Sequence, residues 1–214
     1  MAEVVGSERT SRFKRFRKFR RSFIASRVTD KITPITDNLV VLRAGSAADT
    51  QAIADLSRYY IEVHGQNAPL SVWRGAQIFR KFLYNYREQL LASCIIGGWD
   101  AKEGGQVYTI PQGGMMIRQN YTCSGSGGSY IMTYLDFNWR PGMSVDEVKE
   151  LVKTGVALAI HRDGGSGGVV RLAVIDKEGY KPEVHRFDKN ELPEFAKPRL
   201  YPTFPPHIPQ HPAV

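Results

Sequence analysis

The sequence has little cysteine, no long apolar run and no leader-like start, and each absence narrows its class. The 214 residues include two cysteines, Cys94 and Cys123, in apolar surroundings without CxxC or Cys/His spacing. We therefore expect two buried thiols in a reducing compartment and neither a metal nor any other cofactor. No apolar stretch approaches the roughly 18 residues of a membrane span, so no membrane association is expected. Phe23–Ala25 is too short to be the apolar region of a signal peptide.

The length fits one domain of ordinary size, and most of its net charge sits in one short segment. The net charge is +8, yet residues 12–21 (RFKRFRKFRR) carry seven Lys and Arg and no acid, so +8 minus 7 leaves +1 for the remainder. We call residues 1–22 the basic arm. The arm fits a solvated terminus, a start assigned at the wrong place, a nucleic-acid or nuclear-import patch, or a basic amphipathic helix. We favour the first two, because blocks of like charge are usually disordered.

The rest of the chain alternates strand-like and helix-like patterns. We predict helices over about 47–64, 72–90 and 144–161, the last opened by a capping box at Ser144 and Glu147. We predict strands over about 38–43, 92–99, 106–110, 114–118, 169–175 and 183–187. This order implies a layered α+β domain. Seven of the twelve prolines lie after residue 192, so residues 189–214 are predicted to be an extended, proline-rich tail.

One segment suggests chemistry. Lys31 lies among polar residues, and a predicted apolar strand follows it in the chain. The strand ends in Arg43, and a tight turn at Gly45 then leads into a predicted helix. Backbone N–H groups at a helix N-terminus carry partial positive charge, so such a corner can hold an anionic intermediate. Taken alone, the same pattern also fits an ordinary strand-to-helix turn with a solvated arginine.

Further motifs give the segment a context. The region from Phe23 to about residue 188 resembles the proteasome beta-type subunits, most closely the caspase-like, post-acidic type, with its motifs in order and without large gaps. The motifs that carry the resemblance are Phe23–Gln51, Cys94–Asp100, Glu103–Tyr108, Gly113–Met116, Ser124–Gly127 and Arg162–Gly168. The resemblance implies the four-layer αββα sandwich of N-terminal-nucleophile hydrolases, with 23–188 as the family domain.

The family cleaves peptide bonds with an N-terminal threonine whose own amine is the base. By resemblance, Lys31 matches the lysine that tunes proton transfer, and Gly45 matches the glycine whose N–H stabilises the oxyanion. Ser126, Asp163 and Ser166 match the cluster that supports the amine. Gly165, next to this cluster, stands where caspase-like members usually have serine.

Substrate choice in this family depends on the residue at the end of the strand before the corner. Here that residue is Arg43, and its guanidinium would attract a carboxylate. Thr29 and Ala47 would line the same pocket. This combination resembles cleavage after acidic residues.

The sequence departs from the family ahead of Lys31. The threonine should stand about thirty residues earlier, which falls at or before Met1, and Thr10 is too close. The family's aspartate follows an apolar strand, where this chain has the charged residues 12–21. We therefore expect the sandwich to lack its first two strands, and the attacking threonine and its aspartate to be absent.

Three hypotheses follow. The chain is a caspase-like beta subunit of the 20S core with a wrongly recorded start, or a non-catalytic ring subunit or isoform, or a basic-arm protein that binds a nucleic acid or another partner. The resemblance implies stacked heptameric rings of alpha and beta subunits, polypeptide substrates, and a location in cytoplasm and nucleus. Only residues 12–21 favour the third hypothesis, so we expect no nucleic-acid partner.

Overall fold

The computed structural model describes residues 26–64 and 70–196. The basic arm, the loop at 65–69 and the tail from residue 197 onward lie outside the described residues. The predictions for these segments are therefore not addressed by the structure.

The described chain contains seven strands and four helices, with two short 3-10 turns at Phe187–Lys189 and Glu194–Ala196. In chain order they are β1 (Ile32–Thr36), β2 (Leu39–Gly45), α1 (Ala47–His64), α2 (Val72–Asn85), β3 (Ala92–Asp100), β4 (Gly104–Ile110), β5 (Ile117–Gln119), α3 (Gly128–Asn138), α4 (Val145–Arg162), β6 (Val170–Asp176) and β7 (Gly179–His185).

The strands form two antiparallel sheets. Strands β1 to β5 pair in chain order, and β6 pairs with β7 across the Lys177–Glu178 turn. Side chains alternate between the two faces of a strand, so the register decides which residues meet the helices. In β2 and β3 the register sets Arg43 opposite Cys94 and Gly45 opposite Ala92.

Four layers result from this packing. Helices α1 and α2 cover one face of the five-stranded sheet, where Val41, Phe79 and Ile96 belong to one buried cluster. The other face of the sheet packs against the β6–β7 pair. At this contact the Ile175 side chain of β6 approaches Gly97 of β3. Helix α4 covers the outer face of β6 with Val156 and Ile160 and packs beside α3. The predicted α+β, four-layer αββα sandwich is confirmed.

Helix α4 begins as the sequence predicts. The Ser144 hydroxyl accepts a hydrogen bond from the Glu147 backbone N–H, and the Glu147 carboxylate accepts one from the Ser144 N–H. This reciprocal pair satisfies two donors that the first turn of a helix would otherwise leave unpaired. The capping box therefore defines the start of the helix, which ends at Arg162.

The structure corrects several sequence-based predictions. It contains β1 and α3, which the sequence patterns do not predict, and α2 ends at Asn85 although its apolar periodicity continues to residue 90. Strand β1 contains Pro34 and is the outermost strand of this sheet among residues 26–64 and 70–196, a position where a residue without an N–H is tolerated. Cys94 is buried as expected, but Cys123 is only half-buried. Leu192, within the segment assigned to the tail, is 7% exposed and packs against Val170.

Candidate active site

Asp163 gathers the two predicted serines around one carboxylate oxygen. The hydroxyls of Ser126 and Ser166 each donate to Asp163 Oδ2 at 2.6 Å, and the Gly165 N–H donates to Oδ1 at 3.0 Å. Ser126 stands 37 residues before Asp163 in the chain, and Ser166 stands three residues after it. The structure thus brings together the Ser126, Asp163 and Ser166 cluster that the sequence predicts.

The cluster favours the charged form of its aspartate. Partial burial acts to raise the pKa of Asp163. The hydrogen bonds from the two serines and from Gly165 outweigh burial, and the positive charge of Lys31 adds to them, so the pKa lies below the ordinary 3.8. The charge of Lys31 therefore acts on the Asp163 carboxylate, although the Lys31 side chain is exposed.

The end of α4 positions this carboxylate. Asp163 caps the helix, with its N–H donating to the Ala159 carbonyl at 2.8 Å, and the Ser166 N–H closes a turn onto the Asp163 carbonyl at 3.0 Å. On the facing loop, a Cβ at Gly127 would lie 2.9 Å from Ala159 Cβ and 3.0 Å from Ser166 Oγ. Glycine at 127 therefore lets the two loops approach closely enough for the shared hydrogen bonds.

The segment that carries Thr29 and Lys31 is fastened to β6. The Val169 N–H donates to the Arg27 carbonyl at 3.2 Å. Arg171 Nη2 donates to the Val28 carbonyl at 2.9 Å. These contacts link the start of the described chain to the beginning of β6, which follows the loop that carries Asp163 and Ser166.

The corner at Gly45 needs glycine. Its φ of +115° lies in the left-handed region, and a Cβ there would lie 2.3 Å from the Leu91 carbonyl oxygen. That carbonyl accepts a 2.7 Å hydrogen bond from the Ser46 N–H, which turns the chain into α1. The predicted corner at a helix N-terminus is present, with Gly45 exposed.

Arg43 is held by three neutral acceptors. Its Nε donates to Thr33 Oγ1 at 2.9 Å, Nη1 to Thr50 Oγ1 at 3.3 Å, and Nη2 to the Asp30 carbonyl at 3.0 Å. A guanidinium has five N–H donors, so two remain for a ligand. None of these acceptors is a carboxylate. The positive charge is thus fixed in place without an anionic partner among them.

The two other predicted pocket residues, Thr29 and Ala47, lie before and after Arg43 in the chain, and Lys31, predicted for catalysis, lies beside it. Lys31 is its neighbour across the strand pair, because the Arg43 N–H donates to the Lys31 carbonyl at 2.9 Å. Thr29 and Ala47 are exposed, and within the described residues the Thr29 hydroxyl shows no hydrogen bond to Arg43. Their predicted role as pocket walls stays a prediction.

Sequence reasoning missed the residues that hold the site together. Thr33 and Thr50 orient Arg43, and Arg171 fastens the Thr29–Lys31 segment. Ser93 joins the corner to the Ser126 loop, since its Oγ lies 3.1 Å from Ser124 Oγ and 3.4 Å from the Ala44 carbonyl oxygen. The alternation of β1 could have placed Thr33 on one face with Lys31, but only the register between strands reveals Arg43 as its partner.

Cys94 lies opposite Arg43 in the strand register, and its thiol is buried. Burial raises the pKa of Cys94 to about 12, and the Arg43 charge offsets only part of that rise. Cys94 is therefore a protonated, packed side chain at neutral pH. In residues 26–64 and 70–196, no cluster of three or more His, Cys, Asp or Glu could hold a metal, and no helix is long and apolar enough to cross a membrane.

A four-layer αββα sandwich is the fold of the N-terminal-nucleophile hydrolases. The proteasome subunit family model matches residues 17–175. The chain is 44% identical to proteasome subunit beta type-6 of Dictyostelium discoideum over 176 residues, which is 81% of each chain. It is 45% identical to proteasome subunit beta type-9 of Mus musculus bactrianus over 175 residues, covering 80% of this chain and 78% of that one.

A third relative, the probable proteasome subunit beta type-1 of Schizosaccharomyces pombe, is 40% identical over 180 residues, covering 82% of this chain and 79% of that protein. The chain belongs to the proteasome subunit family and is a beta-type subunit of the 20S core. Membership implies assembly with other proteasome subunits.

Proposed function

We propose that this subunit is of the caspase-like type, a threonine endopeptidase that cleaves polypeptides after acidic residues in ATP- and ubiquitin-dependent degradation. The observation that carries the proposal is the state of Arg43. Its guanidinium is fixed by Thr33, Thr50 and the Asp30 carbonyl, all of them neutral. A glutamate or aspartate side chain would meet an oriented cation that has two donors left.

The remaining groups take the roles that the family assigns. Lys31 would assist proton transfer at the threonine, and the Gly45 N–H would stabilise the oxyanion. Asp163, kept ionised by the hydroxyls it accepts from Ser126 and Ser166, would support the amine of the threonine. These roles are supported by the proximity of Lys31 to the cluster, because the charge of Lys31 contributes to the lowered pKa of Asp163.

The proposal extends to the setting of the subunit. It would act within stacked heptameric rings of alpha and beta subunits, in cytoplasm and nucleus. Substrates would then be unfolded polypeptides that reach the interior of the assembly. Thr29 and Ala47 would line the pocket around Arg43.

The direct test uses a chain in which the family's N-terminal threonine segment precedes Phe23, assembled into rings whose other active sites are blocked. Fluorogenic peptides ending in glutamate, aspartate, leucine or arginine are compared. We expect cleavage after the acids to dominate. Equal cleavage after leucine, or preference for arginine, would show that the specificity is wrong even if the family is right.

A second candidate is a non-catalytic ring subunit or isoform. The observation in its favour is the composition of residues 12–21, where seven cations replace the apolar strand that brings the family's aspartate. The N-terminal sequence of the subunit isolated from assembled particles separates the two. A mature N-terminal threonine ahead of Lys31 supports the catalytic type, and an N-terminus within the basic arm supports the non-catalytic one.

A further inference from the structure

Three hydrogen bonds surround the corner at Gly45. The Ser46 N–H donates to the Leu91 carbonyl at 2.7 Å, and the Leu91 N–H donates to Asp49 Oδ2 at 3.0 Å. The Asp49 N–H donates to the Ser46 hydroxyl oxygen at 3.4 Å, which closes the set. We call Ser46, Asp49 and Leu91 the corner network. Asp49 supplies the charged group of this network.

The corner network resembles a capping box with a backbone peptide inserted into it. In a capping box the third helical residue donates its N–H to the N-cap side chain, and its carboxylate accepts the N-cap N–H in return. Ser46 directly precedes α1 and Asp49 is the third residue of that helix, so the spacing is that of a box. Here the Ser46 N–H goes to the Leu91 carbonyl, and the Asp49 carboxylate accepts the Leu91 N–H. Asp49 is therefore linked to the start of its own helix through the residue that precedes β3.

The residue next to this network carries the N–H that matters for chemistry. The Arg43 N–H donates to the Lys31 carbonyl at the edge where β1 lies. Because N–H groups of alternate residues in a strand point to the same edge, the Gly45 N–H points to that edge as well, beyond the first residue of β1, Ile32. Gly45 is opposite Ala92 in the register, so it is held by β3 on one side and by the corner network on the other.

Gly45 depends on such contacts for its conformation. Its φ of +115° is open to glycine, but glycine adopts many other conformations as readily and has no side chain to pack. A donor to an oxyanion must lie about 2.7–3.1 Å from the position that the charge will occupy. A small rotation at the corner would move the Gly45 N–H out of that range, and the hydrogen bonds between Ser46 and Leu91 oppose such a rotation.

We propose that Asp49 is a positioning residue for the oxyanion donor. Its carboxylate holds Leu91, the Leu91 carbonyl holds the Ser46 N–H, and this contact keeps the Gly45 N–H aimed at the developing charge. The inference rests on the proposed function, since the Gly45 N–H has this role only in a threonine endopeptidase. Asp49 acts through Leu91 and takes no part in proton transfer.

The first test needs no catalysis. Hydrogen exchange of the Ser46 and Leu91 amides is measured in the full-length chain, unmodified and with Asp49→Ala or Asp49→Asn, after circular dichroism has verified folding. We expect Asp49→Ala to speed exchange about tenfold or more at both amides, because Leu91 loses its acceptor and its carbonyl then holds Ser46 less firmly. Asp49→Asn should restore most of the protection, since an amide oxygen also accepts the Leu91 N–H. Faster exchange at Leu91 with unchanged exchange at Ser46 would overturn the proposal.

The matched control is Asp146→Ala. Asp146 also stands in the first turn of a helix, α4, and it is exposed, with no side-chain hydrogen bond shown in the described part of the chain. The change removes the same favourable charge at a helix N-terminus without touching the corner. Exchange at Ser46 and Leu91 should stay within about twofold of the unmodified chain. An effect equal to that of Asp49→Ala would contradict a specific role of Asp49.

The second test measures kcat and KM in rings that carry the chain with the family's threonine segment ahead of Phe23. We expect Asp49→Ala to lower kcat about tenfold with KM within about twofold, because the oxyanion donor acts in the transition state. The loss should be smaller than the roughly hundredfold or more that removal of an oxyanion donor costs. Asp49→Asn should recover most of kcat. The preference for acidic over apolar residues should not change, because Arg43 is untouched.

The results separate this inference from the proposed function. If the unmodified rings cleave nothing, or cleave without preference for acidic residues, the proposed function fails, and in the first case the role of Asp49 fails with it. If the unmodified rings cleave after acids and assembled Asp49→Ala rings keep their full kcat, only the positioning role is overturned. A raised KM at constant kcat would overturn it too, since it would show that Asp49 acts on substrate binding.

Discussion

Arg171 on β6 donates a 2.9 Å hydrogen bond to the backbone carbonyl of Val28, which stands 143 residues earlier in the chain. The same guanidinium pairs with the Asp30 carboxylate at 3.6 Å, and its side chain is 28% exposed. The two contacts hold the residues on either side of Thr29. Arg171 is therefore a positioning residue for the segment that carries Lys31, although it lies far from it in sequence.

Replacement of Arg171 by methionine should loosen that segment. The apolar stem is retained, while the hydrogen bond to Val28 and the pair with Asp30 are lost. We expect the free energy of unfolding to fall by about 1–2 kcal/mol, at the low end of charged hydrogen bonds because the pair is partly exposed. Hydrogen exchange should accelerate at residues 26–31.

The matched control is Arg80→Met, at an exposed arginine for which the described residues show no ion pair. It should change the unfolding free energy by less than about 0.5 kcal/mol, the usual range for surface substitutions. Equal effects of the two variants, measured by urea unfolding, would mean that Arg171 does not hold the segment.

Gly45→Ala should be among the most damaging single methyl additions in this fold. The residue has a φ of +115°, and the new Cβ would lie 2.3 Å from the Leu91 carbonyl oxygen, which is backbone and cannot rotate away. Left-handed strain alone costs about 1–3 kcal/mol. We expect a larger loss in urea unfolding, because β2 and β3 must also separate at the corner.

Two glycines serve as controls for Gly45. Gly104 has a φ of +68°, and no neighbouring atom lies within 4 Å of the place that a Cβ would take, so Gly104→Ala isolates backbone strain. Gly105 has open space and no left-handed φ, so Gly105→Ala should be nearly neutral. The order Gly45, Gly104, Gly105 in decreasing cost is expected, and any other order contradicts the steric argument.

Local patterns in the sequence predicted the parts of the site that lie within one element. Ser144 and Glu147 mark the start of α4 because a capping box needs only a three-residue spacing. Gly45 marks the corner because the strand and helix patterns meet there. The four layers followed from the family resemblance and from the order of elements.

Long-range partners were not predictable in this way. The contacts of Arg43 with Thr33 and Thr50 depend on the register of β1 and on the docking of α1, and neither leaves a local signal. Helix α3 was missed because it follows the glycine-rich stretch Ser124–Gly127, although Ile131 and Leu135 recur four residues apart and are buried. Its stability comes from packing on α4 more than from intrinsic propensity.

The Asp163 cluster should make stability depend on acid pH. The pKa of Asp163 in the folded chain lies below its ordinary 3.8. A depressed pKa contributes stability above the unfolded value, and this contribution is lost as the pH falls through the folded pKa. The melting temperature of the unmodified chain should therefore exceed that of Asp163→Asn at pH 6, and the gap should narrow as the pH falls below about 4.

Asp55→Asn is the control for this titration, since Asp55 is exposed on α1 with no side-chain hydrogen bond shown among the described residues. Its melting temperature should follow that of the unmodified chain at each pH. A gap between Asp163→Asn and the unmodified chain that stays constant from pH 6 to pH 3 would exclude the proposed contribution of the ionised carboxylate.

Arg43 should decide which peptides are cleaved while leaving the chemical step intact. In rings that carry the chain with the family's threonine segment ahead of Phe23, Arg43→Ala removes a charge-assisted pair worth about 1.5–3 kcal/mol. The ratio of kcat/KM for acidic over small apolar residues should fall roughly ten- to a hundredfold. Arg43→Lys should restore only part of that ratio, because a point charge replaces a fork.

Thr33→Val should lower the same kcat/KM ratio less than Arg43→Ala does, since Thr50 and the Asp30 carbonyl still hold the guanidinium. Lys31→Ala should instead abolish cleavage of every peptide, because the role proposed for Lys31 is in proton transfer and not in recognition. An unchanged ratio in folded, assembled Arg43→Ala rings would exclude Arg43 as the source of acidic specificity.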